Sequence, residues 1–251
     1  MGGLAAFARL RAMPATPGCT LMAEQEEGPY YLDDQVLRRD ITEGKPGLPL
    51  RLRVALVDAR RCNPLPGAAL DIWHCDALGV YSGFTAADSD GRGGRGRRGM
   101  GPPPPGFDGR GMGPPPRPRT TDASRFLRGV QVTGADGIAE FATVYPGWYA
   151  GRAIHIHLKV HTGGHVSHTG QLFLPEDTTD AVARLQPYAG RLNVPRTLQS
   201  QDGIFNSQHG AASMVNLAWL GRADAEGFVA TVTLAVDPEA TPAPVGFGGR
   251  R

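Results

Sequence analysis

Long hydrophobic runs are missing from this chain of 251 residues. No stretch is long and apolar enough to span a membrane, so no transmembrane helix is expected. No long amphipathic helical pattern stands out either, which argues against a helical bundle. Aromatic residues are few, at 7%, whereas glycine (35) and proline (22) are abundant. Cysteine is scarce. Cys19, Cys62 and Cys75 fit no zinc spacing, and their odd number leaves one thiol free if a disulfide forms. Spacing alone does not choose the pair. Charge of one sign is also lacking, and a net charge of +2 says little about partners.

Short β-type segments recur between turn signals. They cover 50–57, 69–73, 126–132, 138–141, 155–160, 171–174 and 227–235. This spacing predicts an all-β sandwich core with long loops and little helix. One short helix is expected from Asp177 to Leu185, capped near Thr178 or Thr179. One domain is expected over 19–239, after an N-terminal extension of 1–18 and before a loose Pro/Gly-rich tail at 240–251. The extension holds Arg9, Arg11 and a short Leu-Ala-Ala-Phe-Ala stretch, too short and interrupted for a good export signal. Localisation stays open between the cytoplasm and, if the start is truncated, export.

Residues 88–119 break the pattern. The unit Gly-Met-Gly-Pro-Pro-Pro occurs at 99–104 and again at 111–116, among seven arginines and three aspartates. Such composition cannot bury a core. It reads as an enlarged surface loop inside the domain. Gly-Arg tracts can hold nucleic acid or other polyanions, and a mobile lid bringing positive charge to acidic substrates is a third reading. A solvated insertion is favoured over both.

The chemistry concentrates in two segments. One runs Tyr145-Pro-Gly-Trp148-Tyr149-Ala-Gly151-Arg152-Ala-Ile-His155-Ile-His157, and the other runs Asp71-Ile-Trp73-His74-Cys-Asp76-Ala-Leu-Gly79-Val-Tyr81. Ile154, Ile156, Leu158 and Val160 alternate with His155, His157 and Lys159. Alternation of period two marks a strand, so the two imidazoles share a face about 7 Å apart along the chain. Alone, a His-x-His pair is a weak signal. Joined by Tyr81 and Tyr149 it becomes a set of two phenols and two imidazoles without a carboxylate, which suits a hard ferric ion held without haem.

The motif Pro146-Gly-Trp148-Tyr149-x-Gly151-Arg152-x-x-His155-Ile-His157 resembles the iron-binding segment of the intradiol ring-cleavage dioxygenases, the family of protocatechuate 3,4-dioxygenase and catechol 1,2-dioxygenase. Similar to that family are also Glu27-Gly-Pro-Tyr30-Tyr31, Asp40-Ile-Thr-Glu-Gly44, the segment from Asp71 to Tyr81, Phe126 to Gln131 with Asp136-Gly137, and Gln171-Leu-Phe173. These matches cover most of 19–175, in the family's order. The resemblance implies one Fe(III) per chain held by Tyr81, Tyr149, His155 and His157, with a solvent hydroxide in the fifth position. It implies that a catechol chelates the iron, that Tyr149 gives way and takes one of its protons, and that O2 opens the ring to a muconic-type diacid. Arg152 would stabilise charge on the ring, provided the strand begins after Gly151, and Gln171 would help orient substrate and oxygen. Residues 1–18 are too few for the helical linker domain of catechol 1,2-dioxygenases, which weakens plain catechol as the default substrate. Protocatechuate, hydroxyquinol and lignin-derived catechols stay open. Tyr30, Trp148 and Asp76 are candidate pocket walls. The family commonly associates into homo-oligomers.

Other residues carry plainer readings. His161, His165 and His168 lie around the Gly163-Gly164 turn and are expected as solvated loop side chains. His74 is expected to make a structural hydrogen bond, and Tyr145 to pack or line the site. Two other function classes compete: a β-sandwich binding module that lost its chemistry, and a copper or zinc enzyme built on His155, His157 and His161.

Overall fold

A computed structural model describes residues 19–34, 36–86, 118–221 and 226–246. The extension 1–18, nearly all of the Gly/Arg/Pro-rich segment and the last five residues lie outside the described residues. Among the described residues, eight strands form two four-stranded sheets. They are β1 (Pro49–Asp58), β2 (Ala69–Trp73), β3 (Arg128–Val132), β4 (Ile138–Val144), β5 (His155–Thr162), β6 (His165–Phe173), β7 (Asn216–Trp219) and β8 (Phe228–Val236). One sheet has the order β4-β1-β8-β7, the other β3-β2-β5-β6. β1 and β8 are parallel, and the other strand pairs within the two sheets are antiparallel.

Alternation explains the core. Leu50, Leu52, Val54 and Leu56 of β1 are buried, while the residues between them are more open. They join Ile156, Leu158 and Val160 of β5 in one apolar cluster. Burying each such side chain contributes about 1.5–3 kcal/mol. β5 departs from simple alternation because His155, His157 and Lys159 are buried as well. Their face is covered by the chain around residues 24–31. There Gln25 N–H donates to Thr169 O, and the Glu24 carboxylate accepts from Thr169 N–H while sitting 2.5 Å from His168 Nδ1.

Several expectations need correction. His161, His165 and His168 are not loop residues: His161 lies in β5, and the other two lie in β6. Gly163 and Gly164, both with positive φ, close a two-residue hairpin, and the chain returns at once as β6. His168 is buried against Glu24. β7 was not expected, because Asn216–Trp219 is an exposed edge strand without an alternating pattern. Helix α1 spans Glu176–Val182 and carries no side-chain cap. Thr179 instead donates to Pro175 O and sits 2.6 Å from the Tyr145 hydroxyl, so both groups pack in the interior. Cys19 pairs with Cys62, and Cys75 is a buried free thiol. No helix among the described residues is long and apolar enough to cross a membrane.

Candidate active site

Strand parity sets the first two groups. His155 and His157 lie on the same face of β5, and their Nε2 atoms are 3.0 Å apart. His155 Nδ1 is 2.6 Å from Ala153 O, an arrangement that holds its proton there and leaves Nε2 as a lone pair. His157 stacks on Trp73 of β2 with ring centroids 5.0 Å apart and planes 3° from parallel. Burial drives both imidazoles well below their usual pKa, with Arg152 and the neighbouring imidazole reinforcing it, so both are neutral.

The two phenols arrive from loops. The Tyr149 hydroxyl lies 3.1 Å from His155 Nε2. Tyr81 follows β2 in a turn that Arg128 ties down through the Ser82 hydroxyl and carbonyl, each at 2.8 Å. Its ring stacks on Tyr30 at 4.6 Å and meets Tyr149 edge-on at 5.8 Å. The Tyr81 hydroxyl is buried and makes no well-formed hydrogen bond among the described residues. Burial raises the pKa of both phenols, so in the protein alone they stay protonated. A bound cation reverses this.

These groups fit a metal ion. Two donors each about 2.1 Å from one ion and at right angles to it stand roughly 3 Å apart, close to the separations found here. Two neutral imidazoles and two phenolates are oxygen and nitrogen donors that offset most of a ferric ion's charge. The Tyr81 hydroxyl has the Tyr149 phenol beside it but no well-formed hydrogen bond among the described residues, and its burial is costly unless it gains a better partner such as a metal ion. His161 does not join the set. A register shift falls between Val160 and His161, and no group of three or more His, Cys, Asp or Glu side chains that could hold a metal is found among the described residues.

Gly151 has φ +87°, and β5 begins only at His155. Arg152 is therefore free of strand parity. Its Nη2 donates to Gln171 Oε1 at 2.5 Å, and Gln171 is the cross-strand partner of His157. Arg152 Nε is bound by both Asp202 oxygens at 3.2 and 3.0 Å, and Nη1 lies 3.6 Å from Glu26. Asp202 is fully buried, accepts the Ala153 N–H at 2.8 Å and caps helix α2 (Gly203–Ser207) through the N–H groups of Ile204 and Phe205. Replacing Asp202 by alanine strips a buried cation and two backbone segments of one acceptor. A loss of about 3–5 kcal/mol is expected, read by chemical denaturation of the metal-free protein. A change under about 1 kcal/mol would remove Asp202 from this role.

The remaining candidates divide. Tyr30 lies against Tyr81 and Phe84. Trp148 is packed in the core, its indole N–H donating to Val194 O at 2.8 Å. Asp76 shapes a turn by accepting from Leu78 and Val80 N–H, and pairs with Lys45 at 2.6 Å. Its short side chain spends its acceptors locally. His74 is fully buried between Cys75 O and the Thr143 hydroxyl, and burial lowers it to about 4. Glu26, Asp202 and the Trp73 stack were not legible in sequence. Glu26 at least adjoins the Glu27-Gly-Pro-Tyr30-Tyr31 motif.

The family model for Dioxygenase matches residues 26–184. An intradiol ring-cleavage dioxygenase from Tetranychus urticae is 31% identical over 90% of this chain and 98% of its own, with a TM-score of 0.73. The dioxygenase domain of a dioxygenase carbohydrate-binding protein fusion from Streptomyces sp. SirexAA-E is 25% identical over 87% and 99%, with a TM-score of 0.56. Hydroxyquinol 1,2-dioxygenase from Pseudomonas putida DLL-E4, at 16% identity over 86% and 67% and a TM-score of 0.54, shares the fold. No curated protein sequence matches. The chain belongs to the intradiol ring-cleavage dioxygenase family.

Proposed function

We propose that this protein cleaves a catechol between its two hydroxylated carbons with O2, giving a muconate-type diacid that keeps both oxygen atoms. The observation that carries this reading is that His155 Nε2 lies 3.1 Å from Tyr149 Oη and 3.0 Å from His157 Nε2, with the buried Tyr81 hydroxyl next to Tyr149. Tyr81, Tyr149, His155 and His157 would hold one non-haem Fe(III). When bound, that ion supplies Lewis acidity and a template that brings the diol and O2 together.

The protein's own groups divide the remaining work. Tyr81 is clamped by its stack with Tyr30 and by the Arg128–Ser82 contacts, so it stays in place. Tyr149 sits in a loop just before the Gly151 bend and is only partly buried. It is the phenol suited to move aside and take a catechol proton at Oη. Arg152, fixed by Asp202 and Gln171, stabilises negative charge as it develops on the ring. The segment around Gly28 lies over His157 and excludes water from that side.

The test is a visible spectrum of the iron-loaded protein, before and after anaerobic catechol, followed by O2 uptake with isotopically labelled oxygen. A broad phenolate-to-iron band that shifts with catechol, and a diacid carrying two labelled atoms, are expected. A colourless protein at full iron occupancy, or one that holds only zinc or copper, would overturn the reading.

A further inference from the structure

The buried charge around Arg152 does not balance. One guanidinium faces two carboxylates, Asp202 at 3.0 Å and Glu26 at 3.6 Å. Glu26 is 3% exposed, and neither of its side-chain oxygens has a hydrogen-bond partner among the described residues. Its backbone is held instead: Gln171 Nε2 donates to Glu26 O at 2.9 Å, and Glu26 N–H donates to Gln208 Oε1 at 2.8 Å. Two residues further on, Gly28 passes so close to the His157 ring that an added Cβ would stand 2.8 Å from Cε1. The carboxylate is thus anchored one guanidinium away from the proposed metal ligands. Other buried cations on this side already have counter-charges. Lys159 pairs with Glu27, and Arg128 lies beside Asp71. Arg152 itself has its Nε on Asp202 and its Nη2 on Gln171. It is not available as a receptor for a substrate carboxylate.

We propose that Glu26 is a specificity-determining residue that excludes carboxylate-bearing catechols, so that this site takes catechols whose ring substituents are uncharged or cationic. The inference rests on the dioxygenase reading and names the substrate class within it. The physical basis is a second carboxyl group, out of water, next to the group that faces the ring; burial raises its pKa while Arg152 lowers it, and once ionised it carries a surplus negative charge. Charges a few ångströms apart interact strongly in such surroundings, with little screening. Glu26 acts through Arg152 and through the field, without touching the diol.

The experiment is an anaerobic titration of the iron-loaded protein at pH 8 with three ligands: catechol, 3,4-dihydroxybenzoate and 3,4-dihydroxybenzylamine. Dissociation constants are read from the visible band and by calorimetry. The wild-type protein is expected to bind catechol at least about tenfold more tightly than the benzoate. In Glu26→Gln the benzoate should tighten about tenfold, the benzylamine should weaken, and catechol should stay within about threefold. Glu26→Asp keeps the charge and should keep the wild-type order. Opposite shifts for the anionic and cationic ligands are a signature that a merely structural role does not produce. A wild-type preference for the benzoate, or equal movement of all three ligands in Glu26→Gln, overturns the inference alone. No spectral response to any of the diols overturns the dioxygenase reading and this inference together.

Discussion

Tyr81→Phe will make the metal-free protein more stable and leave it unable to hold coloured iron. The two effects have opposite signs and one cause. The Tyr81 hydroxyl is buried without a well-formed hydrogen bond, and burial holds its proton on. An unsatisfied buried hydroxyl costs about 1–3 kcal/mol. Removing it from the metal-free protein should return about 1 kcal/mol, which raises the melting temperature by roughly 2–4 °C for a chain of this size. The same change deletes one of four ligands, so iron affinity should fall by more than about 100-fold, and the phenolate band should weaken and shift. Differential scanning calorimetry without metal and an iron titration followed at visible wavelengths read the two halves separately. A variant that is less stable without metal, with iron binding intact, would mean that the hydroxyl belongs to the packing of the Tyr30–Tyr81–Phe84 cluster and not to a metal site.

Gly28→Ala should disable the site without replacing any proposed ligand. Gly28 has φ +74°, and a Cβ there would stand 2.8 Å from His157 Cε1. The left-handed backbone costs an alanine roughly 1–2 kcal/mol. The contact must also push the imidazole, which has little room because Trp73 stacks on it. Iron affinity is expected to fall by about 100-fold, comparable to losing a group that orients a ligand. Gly151→Ala is the control. Its φ is +87°, but nothing lies within 4 Å of the added Cβ. That variant should lose a similar amount of stability and keep its iron band. Equal retention of the band in both variants would show that the Gly28 approach does not position His157.

Much of this was readable from residue order. Period-two alternation located β1 and β5 and put His155 and His157 on one face, because strand geometry leaves no other placement for i and i+2. The hairpin was harder. Gly163-Gly164 was legible as a turn, yet the residues after it looked too polar for a strand. His165 and His168 sit in β6 because the segment from Glu24 to Glu26 covers that face and supplies partners for buried polar groups. Such cover comes from about 140 residues away in sequence, and no local pattern records it. The partners of Trp148 and Asp76 were hidden for the same kind of reason: Val194 and Lys45 lie far from them in the chain. Proximity to a motif in sequence did not say which side of the loop faced the core.

By itself the sequence determined the class of fold, the shared strand face of His155 and His157, and the turn-rich interruptions between strands. These follow from periodicity and side-chain chemistry, which act over a few residues. Only the tertiary structure decided which groups stand behind the donors. It set Asp202 and Glu26 on either side of Arg152, laid Gly28 on His157, stacked Trp73 beneath it, and joined Cys19 to Cys62. Each of these contacts joins segments distant in the chain, and its strength depends on burial, which exists only once both sheets and the covering segment have closed around the site.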